Sequence, residues 1–120
     1  MSTYKDLLAF KKAFALAMKI FEISKRFPKE ETYSLTDQIR RSSRSVCANF
    51  AEAFRRRKYP AHFLSKLSDS DSENAETEVW IDFSFACNYI SESEHTELTA
   101  EQQEVGRLIG DILKNPDKYR

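Results

Sequence analysis

The residues of this sequence with the clearest chemical potential are seven cations within residues 36–60, a segment that holds only two anions. They are Arg40, Arg41, Arg44, Arg55, Arg56, Arg57 and Lys58. On a helix, Arg40, Arg44, Arg55 and Lys58 share one face with Ala51. A line of cations on a rigid helix neutralises successive phosphates, which predicts a nucleic-acid-binding surface with salt-sensitive affinity. The alternative is a solvated face, which is the commoner fate of helical charges, and no aromatic residue alternates with these cations for base stacking.

The next segment, residues 61–104, has the opposite charge, with eleven anions against the single cation Lys66. Its central acids are Asp69, Asp71, Glu73, Glu76 and Glu78. Complementary patches on one chain predict a head-to-tail contact between copies, which closes into a ring when the rotation permits. The alternative is that the two segments pair within one molecule, between neighbouring helices. Both arrangements are compatible with the whole chain being neutral.

One acid, Asp71, falls on an apolar stripe of its own predicted helix. Burial of an unpaired carboxylate costs several kcal/mol, so a core position requires a partner. We expect an Arg of the second helix, Arg41 first, to reach Asp71. In the alternative interpretation the stripe curves and Asp71 lies at the surface.

The remaining reactive residues do not form a catalytic pattern. His62 and His95 lie on separate predicted elements, and Cys47 has no histidine in register. The Glu-x-x-His pattern of di-iron bundles occurs once, ending at His95 in a predicted loop, whereas such sites need it on two helices. The sequence therefore predicts a protein that is not an enzyme and has no catalytic residues, metal, cofactor or small-molecule substrate.

The elements that position these residues are predicted to be helices. Two glycines and three prolines in 120 residues leave few breaks, which favours long helices. Four stretches of apolar residues at 3–4 spacing predict an all-α, antiparallel up-and-down four-helix bundle, with residues 1–120 as a single domain. The first helix is expected over about Asp6–Arg26, and the second runs from after Thr32 to about Lys58.

The third helix is predicted from about Pro60 to Ile90. Its expected core stripe is Leu64, Ser68, Asp71, Ala75, Val79, Phe83, Ala86 and Ile90. A polar connection is expected over Ser91–Leu98. Thr99 and Gln102 fit a capping box, in which each side chain satisfies a free backbone N–H at a helix start. The fourth helix is therefore expected to begin there and to stop at Asn115-Pro116.

The expected location is the cytoplasm. No run approaches the roughly 18 apolar residues of a membrane span, so no membrane partner is expected. The N-terminal residues do not read as a secretory signal. Cys47 and Cys87 lie in apolar helical surroundings and are interpreted as small buried residues of a reduced protein.

Two blocks of the chain carry a family resemblance. They are residues 37–53, DQIRRSSRSVCANFAEA, and residues 63–83, FLSKLSDSDSENAETEVWIDF. With the Phe27-Pro28 joint, they resemble the 23S ribosomal RNA intervening-sequence proteins, a bacterial family also called four-helix-bundle proteins. The resemblance implies an up-and-down bundle, often assembled as a ring of five, with a poorly defined molecular role. Cys47 and Ala53 replace a Pro and a Gly of many members, so the second helix is expected to run straighter here.

A related group, the accessory proteins of diversity-generating retroelements, shares the bundle and binds nucleic acid and a reverse transcriptase. Its members look strongly basic, and the neutral charge of this chain argues against membership. Two hypotheses remain. The first is a self-assembling bundle, most simply a pentamer, that binds RNA or a ribonucleoprotein through its basic helix face. The second is a structural module whose separated charges serve only contacts between copies.

Overall fold

The computed structural model describes residues 3–120. Its helices are α1 (Leu8–Ser24), α2 (Leu35–Arg55), α3 (Pro60–Ala86), α4 (Glu92–Lys114) and α5 (Pro116–Tyr119). Single 3-10 turns at Tyr4–Asp6 and Lys29–Glu31 precede α1 and α2. The four long helices alternate in direction, and α1 and α3 lie at opposite corners because each packs against both α2 and α4. The bundle measures 44 × 25 × 24 Å, and the predicted all-α four-helix architecture is confirmed.

The core fixes the end of α2 against the beginning of α3. Phe50 and Phe63 have no exposed surface, and the ring of Phe54 lies 5.0 and 5.1 Å from theirs. Burial of one such side chain contributes roughly 1.5–3 kcal/mol. The turn between α2 and α3 is therefore held by aromatic packing on both of its sides.

The buried face of α3 differs from the predicted one by a small rotation of the helix. The predicted core residues Val79 and Phe83 are 47% and 52% exposed, whereas Ser70 and Thr77 have no exposed surface. The buried residues of α3 are Phe63, Leu67, Ser70, Asn74, Thr77, Ile81 and Ser84. Ile90 is buried and Leu64 packs against the core, as predicted, but the stripe was wrong at Ser68, Ala75, Val79, Phe83 and Ala86, because hydropathy does not register hydrogen bonds. Ser70 donates to a carbonyl of α2 at 2.7 Å and Thr77 to a hydroxyl of α2 at 2.8 Å, which offsets the desolvation of both hydroxyls.

The fourth helix begins eight residues before the predicted position, at Glu92. Ser91 and Glu94 form the capping box, with the Glu94 N–H donating to Ser91 Oγ at 3.1 Å and the Ser91 N–H to Glu94 Oε1 at 2.9 Å. Ser91–Leu98 is therefore not a polar connection. The predicted cap at Thr99 was wrong because the same sequence pattern occurs earlier, at Ser91–Glu94. It begins three residues after Asn88, whose left-handed φ of 63° turns the chain beyond the end of α3.

The contact between α3 and α4 involves Gln102, which was predicted to form a capping box with Thr99. Gln102 is buried, and its Nε2 donates to the carbonyl oxygen of Asn74 at 3.1 Å, while Asn74 Nδ2 donates to the carbonyl oxygen of Gln102 at 3.0 Å. A Cβ at Gly106 would lie 3.2 Å from Asn74 Nδ2. Close approach of the two helices therefore depends on small and amide side chains.

Candidate nucleic-acid interface

Four consecutive cations lie where α2 ends and the chain turns into α3. Arg55 is the last residue of α2, and Arg56, Arg57 and Lys58 form the turn before Pro60. We call Arg55–Lys58 the cationic turn. α2 was predicted to end at about Lys58. It ends at Arg55, because Arg56 has left the helical conformation at φ −103°, ψ 18°. All four side chains are exposed, and none forms an ion pair with another residue of the described chain.

An open groove of about 850 Å³ lies beside the cationic turn, between the end of α2 and the N-terminal residues. Thr3, Tyr4 and Phe54 contribute to its lining. The one anion of the lining, Glu52, is paired with Lys66 Nζ at 3.4 Å. The last carbonyls of α2 carry partial negative charge, which stabilises cations at this position. The charged side chains of the lining are four cations and one paired anion, so the groove is predominantly cationic.

The C-terminal residues add cations to the same end of the bundle. Arg120 Nη1 donates to the carbonyl oxygen of Arg57 at 3.2 Å, and the same guanidinium pairs with Asp117 at 2.8 Å. Lys114 and Lys118 are exposed. Nothing local in the sequence connects these positions with the cationic turn, and only the antiparallel return of α4 brings them near it.

The other three predicted cations lie in the first half of α2, beside a shallow cleft of about 430 Å³. They are Arg40, Arg41 and Arg44. Arg40 Nε donates to Ser24 Oγ at 2.8 Å, and its guanidinium lies 4.8 Å from the centroid of the Phe21 ring. The guanidinium of Arg44 lies 5.4 Å from the same ring. These two side chains therefore fasten α1 to α2. At 1.5 Å per residue they lie roughly 16 Å or more from Arg55, so the predicted surface divides into two clusters.

The third member of this cluster, Arg41, does not pair with Asp71 as predicted. Asp71 is half-buried, and desolvation raises its pKa. Within residues 3–120 Asp71 takes part in no ion pair. Arg41 is exposed and acts on Glu73 instead, where it opposes the rise in pKa caused by burial and by Glu76. The pairing was wrong because the rotation of α3 removes Asp71 from the buried face.

The acids of α3 do not pair with the cations of α2 inside the bundle. Across the described residues, the ion pair that joins these helices has the opposite sense, with Glu52 on α2 and Lys66 on α3. Asp69 lies 3.9 Å from Lys66 on its own helix, and Glu76 accepts a hydrogen bond from Trp80 Nε1 at 3.3 Å. Glu78 is half-buried. The predicted acidic patch therefore remains at the surface of α3.

Exposed apolar side chains form two patches at opposite corners of the bundle. On α3, Val79 and Phe83 face outward beside the acids. On α1, Phe14 and Met18 are 54% and 47% exposed and line an apolar groove of about 380 Å³ with Arg44 at its edge. Isolated exposed apolar residues are common, but grouped ones mark interaction surfaces.

The remaining candidate residues lie apart from one another. His95 pairs with Asp82 at 2.9 Å and stacks on Phe85, with ring centroids 4.5 Å apart. The Glu-x-x-His pattern that ends at His95 was predicted to lie in a loop, but it forms the first turn of α4.

Cys47 is half-buried, and burial raises its pKa to about 11. No cluster of three or more metal-ligating side chains occurs in the described part of the chain. Between residues 3 and 120 no helix is long and apolar enough for a bilayer crossing.

A family model described as 23S rRNA-intervening sequence protein matches residues 5–111. The chain is also similar to a crystal structure of a protein with unknown function from the S23 ribosomal protein family of Bacteroides thetaiotaomicron VPI-5482. The two share 28% sequence identity with a TM-score of 0.82, over 92% of this chain and 98% of the other. Among curated proteins, none matches this sequence.

Proposed function

The chain belongs to the 23S rRNA-intervening sequence protein family, and from this premise we propose that it binds RNA, free or within a ribonucleoprotein, without catalysing a reaction. The observation that carries the proposal is the cationic turn, four exposed and unpaired cations beside an open cationic groove. Arg40 and Arg44 are held against Phe21, and Arg26 pairs with Glu94, whereas within residues 3–120 no side chain of the cationic turn has a partner of either kind.

The cationic turn also sets the expected strength of salt dependence. If its four side chains each neutralise one phosphate, the affinity for a single strand falls with a log–log slope of roughly −2.8. Between 50 and 200 mM salt this corresponds to a loss of about 50-fold. Arg40 and Arg44 contribute less, because both are engaged with Phe21.

The test is a binding titration of fluorescently labelled RNA with a charge-matched pair of variants. The first carries Arg55→Gln, Arg56→Gln and Arg57→Gln. The control carries Lys25→Gln, Arg26→Gln and Lys29→Gln, three exposed cations at the other end of the bundle. We expect the first variant to lose most of the affinity and salt slope and the control to keep them. Equal losses, or no binding by the wild type at low salt, would contradict the proposal.

A second candidate function is self-assembly, which two observations favour. Within the described residues the acids of α3 form no ion pair with the cations of α2, and apolar patches lie at opposite corners, one beside acids and one beside Arg44. We propose that the α3 patch of one copy packs into the α1–α2 groove of the next, as a head-to-tail contact that closes into a ring, with five copies favoured. Val79 and Phe83 would lie at its centre.

Native mass spectrometry at low and high salt tests assembly independently of RNA. A ring predicts one discrete multiple of the 14.0 kDa chain that Phe83→Asp dissociates. A monomeric wild type would refute self-assembly and leave the RNA proposal intact.

We further propose that the protein acts in the bacterial cytoplasm, where the free thiols of Cys47 and Cys87 stay reduced.

A further inference from the structure

An exposed aromatic pair continues directly from the cationic turn. Tyr59 follows Lys58 in the chain and is 60% exposed, and its ring centroid lies 6.0 Å from that of His62, with the two planes inclined at 64°. His62 is also exposed. Neither ring belongs to the hydrophobic core. The fold therefore gains little from an aromatic residue at Tyr59.

The backbone holds this pair in place. The Tyr59 N–H donates to the carbonyl oxygen of Arg56 at 2.9 Å, and the Phe63 N–H donates to the carbonyl oxygen of Tyr59 at 2.9 Å. Pro60 occupies the first turn of α3, where its fixed φ suits the helix. A ligand that stacks on Tyr59 therefore needs to order little of the protein.

Proteins hold unpaired nucleotides by combining cations, which bind the phosphates, with exposed aromatic rings, on which the bases stack. In a duplex the base faces are stacked on one another and have no access to Tyr59 except at the ends. We propose that the ligand of this end of the bundle is single-stranded RNA, whose phosphates contact the cationic turn while a base stacks on Tyr59, with His62 beside it. This inference rests on the proposed RNA-binding function and specifies its ligand.

The decisive experiment measures fluorescence anisotropy of three labelled probes with full-length protein. The probes are a 12-nucleotide single-stranded RNA, a blunt 12-base-pair RNA duplex and an abasic 12-mer with the same phosphates. For Tyr59→Ala we expect single-strand affinity to fall about 5- to 150-fold, the range for loss of one stacked base. Duplex and abasic affinities should change less than about twofold, because the abasic probe has no base to stack on the ring and the duplex exposes base faces only at its two ends.

Two further variants control for indirect effects. Tyr59→Phe keeps the ring and should bind the single strand like the wild type. Tyr33→Ala removes a tyrosine that is 95% exposed at the opposite end of the bundle and should have no effect. Unchanged single-strand binding by Tyr59→Ala, or an equal loss with the abasic probe, would overturn the stacking inference. If the arginine substitutions still abolished binding, RNA binding itself would stand, whereas a wild type that binds none of the probes would overturn both.

Discussion

Ser68 and Ser70 lie two residues apart in α3, and an aspartate should be tolerated at the first position and strongly destabilising at the second. The apolar stripe predicted Ser68 in the core, yet its side chain is exposed, whereas Ser70 has no exposed surface. Ser68→Asp and Ser70→Asp make the same chemical change on each side of this disagreement. The pair therefore tests the rotation of α3 on which the surface assignment of its acids and apolar patch depends.

The magnitude follows from the environment of Ser70, whose hydroxyl donates to the carbonyl oxygen of Val46 at 2.7 Å. An ionised carboxylate cannot donate there, so Asp at this position would be protonated in the folded state, with a pKa raised by several units. Holding the proton at pH 7, against an unfolded pKa of about 3.9, costs about 4 kcal/mol. The folded-state pKa is raised, so the loss shrinks as pH falls, to about 1.5 kcal/mol at pH 5.

Those losses compare with a total stability of roughly 6–18 kcal/mol for a chain of this length. Urea unfolding, followed by circular dichroism at pH 7 and pH 5, measures them directly. At the exposed Ser68 the same substitution should change the free energy of unfolding by less than about 0.5 kcal/mol at either pH. If Ser68→Asp proved the more damaging variant, or Ser70→Asp were equally stable at both pH values, Ser70 would not lie on the buried face of α3.

Three other expectations concern the thiols, the outer face of α3 and the start of α4. Cys47 should react with iodoacetamide far more slowly than the exposed Cys87 at pH 8, because burial raises the Cys47 pKa to about 11; peptide mass spectrometry resolves the two, and equal rates would contradict it. Phe83→Asp should leave monomer stability nearly unchanged by urea unfolding, since that side chain is half-exposed, and a large loss would place it in the core. Ser91→Ala should reduce stability by about 1 kcal/mol in the same assay, since it removes a helix cap. The pKa of Glu94 is lowered, first by the backbone N–H of Ser91, so the contribution of Glu94 should be present at neutral pH and be lost as pH falls through its folded pKa; a pH-independent contribution would refute this.

The sequence predicted well wherever the signal was local. Prolines and apolar periodicity gave α1 to within two residues at each end and placed the start of α3 at Pro60. Where two local patterns competed, the prediction failed. Thr99 and Ser91 both begin capping-box patterns, and only the packing of Gln102 against Asn74 shows why the later one lies inside the helix.

Charge was the other feature that the sequence established by itself, because counting residues requires no geometry. It identified the cations of α2 and the acids of α3, but not which of them meet. Tertiary structure decided that Arg40 and Arg44 lie against Phe21, that the acids of α3 have no cation of α2 as an ion-pair partner, and that the turn at Arg55–Lys58 lies beside an exposed Tyr59. The physical reason is that a surface is assembled from several helices at once. A small rotation of one helix, set by buried hydroxyl hydrogen bonds that hydropathy does not register, changes which side chains face outward.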